Sequence, residues 1–268
     1  MKNLILLLAA IILIVAMPSI ATARSGDPVP GAERHFQGSN ILLIVGDENG
    51  KSDPGNGIGD LFIRNRLEKV MGHKVLLGID SAPSDELYIA AKEADLVIVS
   101  ESTTSKKLQD KLKSVISPVI NYESFIQDEM GMTAKEPSGD PGEPADYAYG
   151  VRNKDTSIDI IMPDHPLAAE LEGTVKVYQE PKQITWGKVG KGAIVVATLT
   201  GERSAAVIYI YDKGARLFDG TTAAGMRIGI FLEDDDETGT ANLMTGDGLR
   251  LFDAAVKFAL ESITVNLE

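Results

Sequence analysis

The side chains best suited to chemistry lie directly behind short apolar runs. Asn40–Val45 is followed by Gly46, Asp47, Glu48 and Asn49, Asp95–Val99 by Ser100, Glu101 and Ser102, and Pro118–Tyr122 by Glu123 and Ser124. If these runs are parallel strands of one sheet, the loops after them converge, because open α/β sheets bind ligands beyond the carboxyl ends of their strands. Glu123, Glu101 and Asp47 are then the candidate catalytic groups. Two carboxylates in one cleft can divide into acid and base through opposed pKa shifts, or hold a hard divalent cation. Asn49, Ser100, Ser102 and Ser124 are candidate pocket residues, able to hydrogen-bond a polar ligand. Structural readings compete with these. Ser102 to Thr104 are good N-cap residues, and an acid at position 123 suits the first turn of a helix.

Other chemistries fail on composition or spacing. The 268 residues include no cysteine, which removes disulfides, thiolate metal sites and a cysteine nucleophile. Between Gly46 and Gly50 there are three residues where a phosphate loop needs four. Asp53-Pro54-Gly55 then delays the helix whose amides would face a phosphate. Gly55-Asn56-Gly57-Ile58-Gly59 has the wrong spacing for a dinucleotide fingerprint. No cofactor is expected. Of the three histidines, only His165, within Pro163-Asp164-His165-Pro166, has a distinctive context. A serine triad built on it lacks the G-x-S-x-G elbow. No metal site is expected either. Asp234, Asp235 and Asp236, inside the acid run Glu233–Glu237, do not follow EF-hand spacing and read as a weak calcium loop or a charged solvated one.

Strand and amphipathic patterns alternate through the first half. Asn40–Val45, Lys74–Ile79, Asp95–Val99 and Pro118–Tyr122 read as buried parallel strands. Between and after them, helices are predicted over 61–70 (with Leu61, Phe62, Leu67 and Val70 on one face), Ser84–Ala94, Ser105–Val115 and Glu123–Met130. Thr133–Gly150, rich in Pro, Gly and acids, is predicted to be an exposed loop. Shorter strands follow at Ser157–Ile161, Val175–Tyr178, Ala193–Thr198, Ala205–Tyr211 and Met226–Phe231, with a closing helix over Gly246–Ser262. The pattern predicts an α/β fold with a doubly wound, mainly parallel sheet flanked by helices, flavodoxin-like, with extra short strands in the C-terminal half. Residues 39–264 form a single domain in this reading.

The order of these elements resembles the class I glutamine amidotransferase-like fold, in particular its ThuA-like branch. The residues that carry the resemblance are Ile41–Gly46 opening the sheet, the strand Asp95–Ser100 (DLVIVS), and Pro118–Glu123 running into a strand-to-helix turn. Asp164-His165-Pro166-Leu167, Leu171–Gly173, Trp186 and Gly190-Lys191-Gly192 continue it, and Arg227–Phe231 with Leu249–Leu260 close the chain. Amidotransferases of this kind place a cysteine on the elbow. Here the matching position falls at or near Glu123, so the resemblance implies no glutaminase activity, and it implies that His165 orders a loop near the pocket. It further implies a binding or accessory module for a small polar ligand, with a saccharide suggested by the ThuA-like branch alone. The residues themselves also allow a carboxylate-dependent hydrolase or isomerase built on Glu123, and a structural domain with a protein partner in a secreted assembly.

The N-terminus reads as a secretory signal: Lys2, an apolar run over Leu4–Met17, Pro18, and a small–x–small site at Ala21-Thr22-Ala23. Residues 1–23 are therefore expected to be removed after Ala23. That leaves a flexible tether over 24–38, no membrane segment, and a secreted or periplasmic protein. With 26 Lys+Arg against 39 Asp+Glu, the net charge of −13 argues against nucleic acid as a partner.

Overall fold

The computed structural model describes residues 38–47, 55, 57–135, 147–233 and 240–265. The expected signal and the tether up to residue 37, Asn49, and the loop acids Asp234, Asp235 and Asp236 lie outside the described residues. Among the described residues no helix is long and apolar enough to cross a membrane.

The protein is α/β, with a mixed central sheet and few helices. Its first half is parallel. Strand β1 (Asn40–Val45) runs between β2 (Lys74–Ile79) and β3 (Leu96–Val99), and β4 (Val119–Asn121) continues beyond β3. β1, β3 and β4 are β-branched or leucine-rich runs buried along almost their whole length, as a central parallel strand requires, whereas β2 is the edge strand and leaves Leu76 62% exposed. Strand β11 (Arg227–Gly229) returns from the far end of the chain to lie parallel beside β4. From there the sheet turns antiparallel. β10 (Glu202–Tyr211) pairs with β11 and with β9 (Ile194–Leu199), and β6 (Ser157–Ile160) and β7 (Gly173–Lys176) extend that side. Two strands not foreseen from the sequence, β5 (Tyr149–Asp155) and β8 (Lys182–Gly187), pair with each other and attach to β10 at Ala206↔Gly187. Each has few apolar residues and a glycine, which hides a strand from a periodicity search. β5 begins inside the segment expected to be an exposed loop, and Tyr149 is buried there.

Both faces of the parallel half are covered. On one, Ile41, Leu43 and Val45 pack with Ile63 and Leu67 and with helix α4 (Gly246–Val265) through Leu251, Phe252, Ala255, Val256 and Ala259. On the other, Leu42 and Ile44 pack with Leu87 and Ala91 of α2 (Ser84–Glu93) and with Leu108, Leu112 and Val115. Helix α1 (Ile58–Asn65) continues as a wider π turn over Arg66–Val70, closed by Met71 N donating to Arg66 O at 3.0 Å. That extra residue shifts the phase of the face. Ile63 and Leu67 are buried, whereas Leu61 and Val70, expected inside, are 39% and 65% exposed.

Two expected helices are shorter than their patterns. Over 105–115 only α3 (Ser105–Leu108) is helical, because Gln109 takes φ +49° and the chain continues in tight turns. The Arg227 guanidinium gathers the carbonyls of these turns, donating to Leu112, Lys113 and Val115, the end carbonyls that a helix over 105–115 would itself leave unpaired. Over 123–130 the structure makes one 3₁₀ turn, Ser124–Ile126. There Gln127 Nε2 donates to Ser124 O at 3.2 Å, taking the carbonyl that the next α-helical bond would use.

Candidate functional site

Among the parallel strands the order is β2-β1-β3-β4-β11, so the crevice at which successive connections part lies beyond the carboxyl ends of β1 and β3. The loops there are tied together by two buried carboxylates. Asp60, in the first turn of α1, accepts from Ser100 Oγ at 2.5 Å and from Ser102 Oγ at 2.7 Å. Ser102 Oγ also accepts from Gly46 N at 3.1 Å. Asp80, which ends β2, accepts from Asp47 N at 3.2 Å and Thr104 N at 2.7 Å. Lys107 Nζ donates to Asp47 O at 2.6 Å, and Lys111 Nζ to Asp80 O and Ala82 O. Gly46 is required at its place: a Cβ there would meet Ser102 O at 1.9 Å. Ser100 and Ser102 thus hold two loops against one helix start, and Asp47 is half-buried, with one oxygen accepting from Ser81 Oγ at 3.0 Å.

The second cluster lies beyond β4 and β11. Glu123 is 2% exposed and caps its own turn, its Oε1 accepting from Phe125 N at 2.8 Å, while Asn121 bonds its backbone on both sides. This is the capping role that competed with catalysis in the sequence. The turn it caps is three residues long, so it offers no helix dipole of the kind a full helix would supply. Ser124, fully buried, donates to Glu233 Oε2 at 3.2 Å. Glu233, 2% exposed at the end of the β11 segment, also accepts from the Thr185 hydroxyl of β8, and its own N–H donates to Tyr178 OH at 3.3 Å. Gln127 closes the base of the cluster, donating to Trp186 O at 3.0 Å and accepting from Tyr209 OH at 2.5 Å.

The structure therefore brings Ser100 and Ser102 together around Asp60, and Glu123 and Ser124 together beside Glu233. Glu101 is half-buried on the turn after β3. His165 stands apart from both clusters. Its ring centroid lies 5.3 Å from that of Phe258 on α4, and its Nδ1 accepts from Leu167 N at 3.1 Å, capping the short turn Pro166–Ala168. Burial depresses its pKa, with a smaller opposing pull from Asp212. Asp212 follows the end of β10, which pairs with the start of β11, so His165 belongs to the amino edge of the parallel strands.

Asp60, Asp80, Glu233 and Thr185 were not singled out in the sequence. Asp80 sits directly behind β2 and Glu233 a few residues past the end of β11, so the strand-end rule points to both. Thr185 carried no signal, since the strand that presents it was hidden. Just after the turn that Glu123 caps, burial raises Glu129 to about 7, helped by a hydrogen bond and the charge of Asp128 beside it. Among the described residues no group of three or more His, Asp or Glu side chains is placed to hold a metal ion.

Among solved structures the chain is similar to a putative ThuA-like protein from Bacteroides uniformis, at 11% identity and a TM-score of 0.45, covering 87% of this chain and 95% of that one. It is also similar to the glutaminase domain of Trypanosoma brucei CTPS with bound acivicin, at 10% identity and a TM-score of 0.42, covering 82% of this chain and 94% of that one. No family model matches the chain, and no curated protein sequence matches it.

Proposed function

We propose that the chain is an exported, amidotransferase-like domain, its parallel half doubly wound in the flavodoxin manner, that binds a small polar ligand and does not hydrolyse glutamine. One observation carries this reading: at the carboxyl ends of β3, β4 and β11 the buried carboxylates are paired with hydroxyls, Asp60 with Ser100 and Ser102, Glu233 with Ser124 and Thr185. A hydroxyl of a ligand can take the place of a serine or threonine donor with little change in hydrogen bonding. An apolar ligand would leave a buried carboxylate unsatisfied, at a cost of about 1–3 kcal/mol or more. That exchange favours polyhydroxyl ligands, among which saccharides are the leading class. At the elbow stands Glu123, engaged with its own turn, where a glutaminase needs a thiolate. Export rests on the N-terminal pattern, and mass spectrometry of the protein from its host should find Arg24 at the mature terminus.

Calorimetric titration with a panel of neutral mono- and disaccharides tests the ligand class. Saturable heat with at least one sugar, weakened about tenfold by Glu233→Gln, which removes the charged acceptor the ligand hydroxyl would use, is the expected result. No heat with any polyhydroxyl compound, or ammonia release from glutamine above the uncatalysed rate, would overturn the reading. A second reading, a carboxylate-dependent hydrolase or isomerase, is favoured by the placement of Glu123 and Glu233 on either side of Ser124. It requires glycoside turnover that Glu123→Gln abolishes.

A further inference from the structure

The amino edge of the parallel strands carries a surface of a different kind. A hollow of about 850 Å³ opens where β3, β4 and β11 begin, floored by Ile116, Pro118, Met226 and Phe258. A second hollow of about 700 Å³ runs on along α4 beneath His165 and meets the first at Phe258 and Glu261. The floor is more apolar than its surroundings require. Ile116 is 53% exposed, and Ile161 and Met162, just before the second hollow, are 37% and 39% exposed. Ile116 stands solvated inside the first hollow on a floor completed by Pro118, Met226 and Phe258, and an apolar floor of this kind within a polar rim marks a contact surface.

The rim gives the sign of the partner. Glu93, Asp95, Asp212 and Glu261 stand around the first hollow with Lys92 and Lys213. Asp164, Glu170 and Glu172 stand around the second with Lys257, whose ammonium pairs with Glu261 at 3.8 Å. Seven carboxylates against three ammonium groups leave the groove negative over an apolar floor. The wall that presents Glu170 is fixed in place: Ala169 and Glu170 are consecutive left-handed residues at φ +53° and +60°, and Ala169 O accepts from Arg250 Nη2 at 2.7 Å. Holding two such residues is unfavourable and persists only where neighbours impose it, so the wall is pre-organised rather than pliable.

We infer that this groove is a docking site for a partner protein's peptide segment that combines apolar side chains with lysine or arginine. The apolar floor supplies affinity and the acidic rim selects sign and speeds encounter. This site is separate from the ligand crevice, and it stands whether or not that crevice binds a sugar.

The test uses the purified chain and a short fluorescein-labelled peptide of leucine and lysine, read by anisotropy, with a leucine–glutamate peptide and a serine–lysine peptide as comparisons. The expected result is binding of the leucine–lysine peptide alone, weakened about tenfold by Ile116→Asp and by the pair Glu170→Lys with Glu261→Lys. The control pair Asp110→Lys with Glu180→Lys, exposed acids outside the groove, should leave affinity within about twofold. Equal loss in the control pair would reduce the binding to general attraction by an acidic protein and overturn the inference. So would unchanged affinity in both groove variants. A dimer in sedimentation velocity that Ile116→Asp converts to monomer would assign the groove to a second copy, and would equally overturn it.

Discussion

Arg227 is the side chain whose removal the structure prices most clearly. It is 1% exposed at the start of β11, and its guanidinium donates to five carbonyls: Val115 O at 2.6 Å, Met226 O at 2.9 Å, Lys113 O at 3.0 Å, Ser117 O at 3.3 Å and Leu112 O at 3.4 Å. The three short bonds are charge-assisted and contribute roughly 1.5–3 kcal/mol each, about 5–9 kcal/mol together. Against them stands desolvation, which lowers the guanidinium pKa to about 10. At roughly 1.4 kcal/mol per unit, that burial costs about 3 kcal/mol. The balance is about 2–6 kcal/mol in favour of the native arginine. Arg227→Met keeps the aliphatic stem, frees the carbonyls and should destabilise by about 4 kcal/mol, lowering Tm by roughly 8–16 °C in a domain of this size. Arg227→Lys, with one ammonium for five acceptors, should fall between. Thermal denaturation followed by circular dichroism reads both, and a drop in Tm below about 3 °C for Arg227→Met would refute the balance of terms.

Three further outcomes follow from the same geometry. Glu129, raised to about 7 by burial and by Asp128, holds a proton in the folded protein that it releases near 4.5 when unfolded. Its contribution to stability is therefore complete below about 4.5 and is lost as pH rises through 7, and Glu129→Gln should flatten that part of the stability–pH curve, while an unchanged slope would exclude Glu129 as its source. Gly46→Ala places a methyl 1.9 Å from Ser102 O and should cost about 3 kcal/mol or more, so a variant that melts with the parent would show that the two loops separate freely. Thr185→Val removes one hydroxyl from Glu233 at constant shape and should destabilise by about 1–3 kcal/mol; a neutral result in urea denaturation would show that this bond carries no net weight.

The parallel half was legible because its strands are nearly unbroken apolar runs, whether buried on both faces like β1 or at the sheet edge like β2: Asn40–Val45 and Lys74–Ile79 match their expected limits. What the pattern could not carry was competition for backbone carbonyls. No Gly or Pro within residues 105–115 marks a stop, yet the helix ends where Gln109 takes φ +49°, and Arg227, over a hundred positions later, holds the carbonyls of the turns that follow. Gln127 shortens the turn after Glu123 from within by taking the Ser124 carbonyl. Of the site, the loops were legible and their partners were not. Ser100, Ser102 and Ser124 stood out by following strands, yet the carboxylates they serve, Asp60 and Glu233, come from a helix start and from an acid run that reads as solvent-facing. His165 was drawn toward the crevice by resemblance, whereas its contacts with Leu167 and Phe258 fix it on the other edge.

That opposition of edges has a thermodynamic consequence. β11 begins at Arg227, beside the apolar groove, and the same run of chain reaches Glu233, beside the hydroxyl–carboxylate cluster. The chain between them is strand to Gly229 and bends at Phe231, so the six residues reach at most roughly 20 Å, against about 10 Å, beyond which separate perturbations usually stop interacting. Arg227–Gly229 is buried and paired in register with β4 and β10, and beyond it Ile230 N donates to Asn121 O and Phe231 O accepts from Thr185 N, so the segment is held throughout and offers no second arrangement for one site to favour over the other. Binding at the two edges should therefore be additive. Peptide affinity at the groove should be the same in Thr185→Val as in the parent, and the same with or without saturating sugar. A change of more than about threefold in either comparison would mean that this strand moves, and that the two edges belong to one switch.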